Sequence, residues 1–162
     1  MNKCAVSALA LLGLSSLALS AQAKTAVILV DLQADFTEWK AGSLAVSGST
    51  GEYVKAVVDA TLALKAEGYP VYATQDWHPS NHMSFASNHP GSKVYDAIDI
   101  GGKVQILWPD HCVQGTDGAK ILVDNNLFQA VVKKGQNQKY DSYSGFKDDG
   151  GDKTEMATIL KA

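Results

Sequence analysis

Cysteine is scarce in this sequence. Its 162 residues include only Cys4 and Cys112. Residues 1–23 begin with a short positive segment, continue as an apolar run and end in Ala-Gln-Ala, which is the pattern of a secretory signal peptide with its cleavage site. Cleavage there leaves a mature chain from Lys24 with one thiol, so no intramolecular disulfide can form in an oxidising compartment. We expect a periplasmic or secreted protein.

Other features are missing as well. There is no basic run, and the formal net charge of −3 becomes −4 once Lys3 is removed, so nucleic acid is excluded as a partner. There is no glycine-rich phosphate loop, no internal repeat and no low-complexity linker. The apolar run of residues 5–19 is shorter than a membrane-spanning helix, so we expect no membrane association after cleavage. The rest, residues 24–162, has the composition of one globular domain.

The elements of this domain predict an α/β fold. Residues 24–31 form an apolar run ending in Asp31, typical of a strand buried in a parallel sheet. A helix over residues 51–68 and a strand over residues 70–76, ending in Asp76, complete a βαβ unit. The two aspartates then meet at the carboxyl edge of the sheet, where α/β proteins place their sites.

The second half of the chain predicts fewer regular elements. A third strand is expected at residues 130–135, and the segment from Thr154 to Lys161 is expected to be the start of a helix. Residues 77–117 have little periodicity, and a loop of that length in a compact domain is usually functional. Three strands leave an exposed sheet edge that α/β domains normally cover, so we expect an incomplete sheet.

All four histidines fall within the 36 residues that begin with Asp76: His78, His82, His89 and His111. Imidazole and carboxylate are the ligands that Zn²⁺, Mn²⁺ and Fe²⁺ prefer, and Asp-x-His at a strand end directs both side chains the same way. Surface loops also collect histidines, so the alternative is a solvated loop without a metal.

Four segments, in order and with compatible spacing, resemble the nicotinamidase (pyrazinamidase) branch of the isochorismatase-like cysteine amidohydrolases. They are Val30-Asp31-Leu32-Gln33-Ala34-Asp35-Phe36 with residues 42–46, Thr74-Gln75-Asp76-Trp77-His78-Pro79 with His82 and residues 84–86, residues 108–116, and Lys134-Gly135 with residues 141–146. The resemblance implies a three-layer αβα fold and hydrolysis of nicotinamide to nicotinic acid and ammonia in NAD salvage.

The resemblance also implies roles for individual residues. Asp31 would take the proton of a nucleophilic thiol and pass it to the departing ammonia, and Lys134 would stabilise the thiolate and the developing charge. The neighbouring Lys133 would point to the opposite face of the strand. Phe36 and Trp77 would form apolar walls against a pyridine ring, although aromatic residues near strand ends are also common in cores.

A divalent ion, zinc, manganese or iron, would bind the pyridine nitrogen of the substrate. The resemblance gives Asp76, His78 and His111 as its ligands, with water completing the shell and His82 as a fourth ligand in some members. His89 has no strong role in the family, and we expect it to be a solvated loop histidine.

One part of the family pattern is absent. The nucleophilic cysteine of the family follows a helix like the one expected at Thr154, in a Gly-x-x-x-Asp-x-Cys-Val pattern, and the sequence ends at Ala162 before such a strand. Cys112 follows the ligand His111 and does not match the nucleophile. We therefore expect the chain as given to fold poorly and to turn over little substrate.

Two other functions stay open at this point. One is an isochorismatase-like hydrolase acting on a vinyl ether, against which the metal ligands argue. The other is a metal-binding remnant without chemistry. An amidase requires Asp31 and Lys134 to converge on the metal pocket, whereas a remnant does not.

Overall fold

The computed structural model describes residues 25–162 of the chain. The predicted signal peptide, residues 1–23, lies outside the described residues, so cleavage and export stay predictions. No helix of the described part is long and apolar enough to cross a membrane.

A parallel sheet forms the centre of the fold. Within residues 25–162, the strands and α-helices are β1 (Val27–Leu29), α1 (Gly51–Ala66), β2 (Val71–Asp76), β3 (Ala97–Ile100), β4 (Lys103–Ile106), β5 (Ala130–Lys134) and α2 (Met156–Ile159). The sheet has the order β1-β2-β5, and both pairings are parallel. Every residue of the central strand β2 is buried. The α/β fold class with a parallel sheet is therefore confirmed.

The helix α1 connects β1 to β2 and covers the sheet. The Thr50 side chain accepts the backbone N–H of Tyr53 at its start, as an N-cap residue does. The helix ends two residues before Gly68, whose φ of +94° is the left-handed conformation that stops a helix. Val54 packs with Leu29, Leu32 and Ala73 of the core.

The first strand is shorter than predicted. It was expected to run from residue 24 to Asp31, but β1 ends at Leu29. Asp31 has a φ of +46°, which is outside the range of an extended strand, so the backbone turns before the carboxylate. As a result, Asp31 lies beyond the end of the strand and not on its face.

The long segment after β2 contains a hairpin that the periodicity did not indicate. Strands β3 and β4 pair antiparallel around Gly101 and Gly102, both with positive φ, as a two-residue hairpin turn requires. The start of a helix that is expected at residues 154–161 is present as the single turn α2, Met156–Ile159.

Candidate active site and metal centre

The carboxyl edge of the sheet brings Asp31, Asp76 and Lys134 together. Asp76 and Lys134 are register partners at the ends of β2 and β5. The Nζ atom of Lys134 lies 2.5 Å from Oδ1 of Asp76 and 3.0 Å from Oδ2 of Asp31. Lys133 is exposed, with its ammonium 3.9 Å from the centre of the Trp77 ring on the other face of the strand. The neighbouring lysines thus lie on opposite faces, as expected.

Lys134 is a buried cation whose hydrogen-bonding capacity is filled. Its ammonium donates to the two carboxylates and, at 2.9 Å, to the carbonyl of Ser142. Burial by itself lowers the pKa of Lys134, but the charges of Asp76 and Asp31 outweigh it and raise the pKa above its usual value. The lysine is therefore charged at neutral pH and holds both carboxylates at one point.

The two carboxylates differ in their electrostatics. Burial raises the pKa of Asp31 even though Lys134 and a hydrogen bond from the Thr74 hydroxyl, 2.7 Å long, act against it. Burial acts in the same direction on Asp76, but its contacts with His78 and Lys134 prevail and lower its pKa. A carboxylate with a raised pKa is suited to exchange protons, and one with a lowered pKa is suited to bind a cation.

Asp76, His78 and His111 form a candidate metal centre. One potential ligand atom from each lies within 4.8 Å of the others, and all three residues are buried. Nδ1 of His78 is 2.8 Å from the carbonyl of Gly135, and Nδ1 of His111 is 2.7 Å from that of Pro109. A ring N–H donated to a carbonyl fixes the tautomer and leaves Nε2 of each imidazole available for a metal.

The chemistry of this donor set fits a divalent ion. Two neutral imidazoles and one carboxylate suit zinc, manganese or iron. Burial lowers the pKa of His111, so its imidazole is neutral at physiological pH, as ligation requires.

His82 does not belong to this group of ligand atoms. Its Nδ1 is 2.8 Å from the Ser84 hydroxyl and its Nε2 is 3.1 Å from the carbonyl of Tyr140, so both ring nitrogens have hydrogen-bond partners. Its ring packs 4.3 Å from that of His78. Burial and the neighbouring His78 lower the pKa of His82 to about 4. The arrangement therefore gives His82 a supporting position behind the ligands. His89 lies apart, with Nε2 2.7 Å from the carbonyl of Met83.

A cavity of about 250 Å³ opens beside these groups. Charged, aromatic and aliphatic side chains line it: Asp31, Phe36, Leu44, Asp76, Trp108, His111, Lys134, Asp141, Ser142 and Tyr143. A larger hollow of about 470 Å³ beside the hairpin shares only Asp141 with it. The smaller cavity is the candidate active site because Asp31, Lys134 and two of the three candidate ligands, Asp76 and His111, line it.

The aromatic walls differ in part from the prediction. Phe36 lines the cavity, with its ring 5.6 Å from that of His111. The prediction for Trp77 was wrong, because its indole lies under Lys133 and lines a groove on the other side of the sheet. Trp108 and Tyr143 take the position expected of it, joined by a 3.2 Å hydrogen bond from the indole N–H to the phenol oxygen. The position of Trp77 follows from the alternation of strand side chains, since Trp77 comes directly after Asp76 and therefore points to the opposite face.

Cys112 is not placed to act as a nucleophile. It is fully buried, does not line the cavity, and has a pKa raised by burial and by the nearby aspartates. Among the residues that the structure describes, Cys112 is a free thiol that forms no disulfide.

Sequence reasoning gave no role to several residues that build the site. Thr74 holds Asp31 through its hydroxyl, and the amide of Gln33 holds the backbone of Asp76 from both sides. Trp108 and Tyr143 lie inside segments that carry the family resemblance, which was the available signal for them. Their contacts are between distant parts of the chain, so spacing alone does not reveal them.

Comparisons with known proteins show which family the chain resembles. No protein-family model matches the chain. The nicotinamidase of Escherichia coli K12 is 42% identical over 127 residues, which are 77% of this chain and 58% of that protein. The structure of the yeast nicotinamidase bound to nicotinaldehyde superposes with a TM-score of 0.73 at 31% identity, over 84% of this chain and 68% of that one.

The chain belongs to the nicotinamidase family. The family resemblance seen in the sequence is thereby confirmed. A pyrazinamidase of Pyrococcus horikoshii, solved in complex with zinc, is 33% identical with a TM-score of 0.65, over 85% of this chain and 64% of that one. The chain spans about three fifths of the length of the curated nicotinamidases that it matches.

Proposed function

We propose that the whole protein hydrolyses nicotinamide to nicotinic acid and ammonia, with this chain supplying the acid–base pair, the metal centre and the ring-binding walls. One observation carries the proposal: Asp31, Lys134 and the ligand group of Asp76 and His111 face one cavity. A metal-binding remnant has no need of a buried lysine bridging an aspartate outside the ligand group, so this convergence favours the amidase.

In the proposed reaction, Asp31 exchanges the proton. Its raised pKa favours taking a proton from a thiol and returning it to the leaving ammonia. Lys134 keeps its charge beside the reacting groups and stabilises the negative charge that develops there. Phe36, Trp108 and Tyr143 offer flat apolar contacts to a pyridine ring.

The metal centre would orient the substrate. A divalent ion held by Asp76, His78 and His111 would supply a Lewis-acidic contact for the ring nitrogen of nicotinamide. The zinc complex of the Pyrococcus pyrazinamidase supports zinc as the first metal to test, with manganese and iron as the others. The nicotinaldehyde complex of the yeast enzyme supports a pyridine carbonyl compound as the ligand.

Among the described residues, no thiol lies in the cavity to act as the nucleophile. A thioester route requires a nucleophilic thiol next to Asp31, and Cys112 lies outside the cavity. Deamidation is therefore proposed for the whole protein, acting in NAD salvage in the periplasm or outside the cell.

The test is release of ammonia from nicotinamide by the protein purified from its natural source or expressed from its entire reading frame. Asp31→Asn and Lys134→Met should each lower kcat by about 100-fold or more, because each removes a group that handles charge in the reaction. Lys133→Met is the matched control, since it changes the neighbouring lysine on the opposite face and should keep most of the activity. Full activity of the Asp31→Asn variant would refute the proposed mechanism.

A further inference from the structure

A carboxylate outside the ligand group contacts the backbone of the metal centre. Asp35 lies in the short 3-10 turn Ala34–Phe36, and its Oδ2 accepts the backbone N–H of Cys112 at 2.7 Å. The two residues are 77 positions apart in the chain. A bond of this length from an amide to a carboxylate is charge-assisted and stronger than one between neutral groups.

The peptide that Asp35 holds lies between two of the ligands. Cys112 directly follows His111, and its carbonyl accepts the backbone N–H of His78 at 3.0 Å. Cys112 has a φ of +47°, a conformation that a residue with a side chain rarely adopts without outside support. A change in the backbone of this one residue would therefore move the backbones of both His78 and His111.

Asp35 is itself held in place by its backbone, and its carboxylate has room beside Gly118. Its backbone N–H donates to the carbonyl of Gly118 at 3.0 Å, and its carbonyl accepts from Leu44, also at 3.0 Å. A Cβ atom at position 118 would lie 2.0 Å from Oδ2 of Asp35. The glycine thus makes room for the carboxylate, and its backbone is not in the left-handed region, so an alanine is otherwise tolerated there.

We propose that Asp35 is a positioning residue of the metal centre, which fixes the Cys112 peptide and thereby sets the geometry of His78 and His111 for a divalent ion. This inference rests on the proposed metal centre and adds to it a residue that does not itself line the cavity. Removing a hydrogen-bond partner of this kind behind metal ligands weakens metal affinity by about 10- to 100-fold.

The test is a titration of the full chain, first stripped of metal, with Co²⁺, whose visible absorption reports the geometry of its ligands. Competition with Zn²⁺ then gives the zinc affinity. Asp35→Leu removes the acceptor and keeps the approximate shape, whereas Asp35→Asn removes only the charge and keeps an acceptor oxygen. Asp117→Leu is the matched control, because this exposed carboxylate in the same region pairs only with Lys120.

Asp35→Leu should bind Zn²⁺ at least about tenfold more weakly and shift the Co²⁺ spectrum. Asp117→Leu should resemble the unaltered chain, and Asp35→Asn should lose less affinity than Asp35→Leu, because it keeps an acceptor oxygen but not the charge. Gly118→Ala should weaken binding with the Asp35 charge intact, because its methyl group displaces the carboxylate. Circular dichroism of each variant without metal checks folding, and if Asp35→Leu does not fold, the Asn and Gly118→Ala variants decide.

Binding by Asp35→Leu within twofold of the unaltered chain would overturn the inference. Equal losses in Asp35→Asn and Asp35→Leu would also overturn it, since the charge and not the hydrogen bond would then be responsible. A separate outcome, no metal binding by the unaltered chain, would refute the proposed metal centre itself.

Discussion

Replacement of Lys134 by methionine tests the electrostatic core of the site. The ammonium has three acceptors, two of them carboxylates at 2.5 and 3.0 Å, and the side chain is 5% exposed. Methionine fills a similar volume but leaves Asp31 and Asp76 facing each other without a cation. Removing one partner of a buried ion pair costs about 3–5 kcal/mol of the free energy of unfolding. For a chain of this size that corresponds to a decrease in Tm of roughly 10 °C.

The assay is urea and thermal unfolding of the metal-free chain at pH 7.5. Lys133→Met is the control, since it removes only a contact with the exposed face of Trp77, worth about 0.5–1 kcal/mol. Saturating Zn²⁺ should recover part of the loss in Lys134→Met, because the ion supplies positive charge to the same Asp76. A loss below about 1 kcal/mol in Lys134→Met, or equal losses in both variants, would contradict the buried ion pair.

Three further predictions follow from single side chains. The pKa of His82 is lowered from 6.5 to about 4, so the stability that it contributes is present above pH 6.5 and is lost as the pH falls towards 4. Between pH 7.5 and 5 the free energy of unfolding of the metal-free chain should therefore fall by about 2 kcal/mol through this group. Urea unfolding should show this decrease in the unaltered chain and not in His82→Asn. Gly135→Ala should destabilise the protein by about 2 kcal/mol and weaken Zn²⁺ binding, because Gly135 has a φ of +66° and a Cβ there would lie 2.3 Å from Cε1 of His78. Unchanged zinc affinity would show that the backbone at Gly135 does not hold the His78 ring. Cys112 should react with a thiol reagent at pH 8 only after unfolding, because it is buried and its pKa is raised; rapid reaction in the native state would show that the segment is open.

The parts of the site that the sequence predicts are those fixed by regular strand geometry. A parallel sheet places the ends of its strands at one edge, so two apolar runs ending in aspartate predict that Asp31 and Asp76 meet, and the family resemblance adds Lys134 to them. The alternation of strand side chains then separates Lys134 from Lys133. The same alternation places the Trp77 side chain on the face opposite Asp76, so its indole cannot line the cavity.

The parts that the sequence does not predict depend on contacts between distant loops. Whether His82 ligates a metal is decided by the Ser84 hydroxyl and the carbonyl of Tyr140, and the latter is 58 positions away. Which aromatic side chains line the cavity depends on how residues 108 and 143 meet. The hairpin of β3 and β4 had a local signal in Gly101-Gly102, but it lies in a segment whose histidines and prolines indicate a loop.

The conformations around the site show why its local sequence is unusual. Asp31 and Cys112 both have a positive φ without being glycine, at 46° and 47°. For Asp31 the conformation is supported locally, since its N–H and its carboxylate both bond to the Thr74 hydroxyl, and aspartate tolerates the left-handed region. A cysteine side chain has no comparable means of support, so its strained backbone must be held from elsewhere in the fold. The Asp35 carboxylate supplies that hold, and the position of the strain, between His111 and the carbonyl that binds His78, is where the geometry of a metal centre has to be most exact.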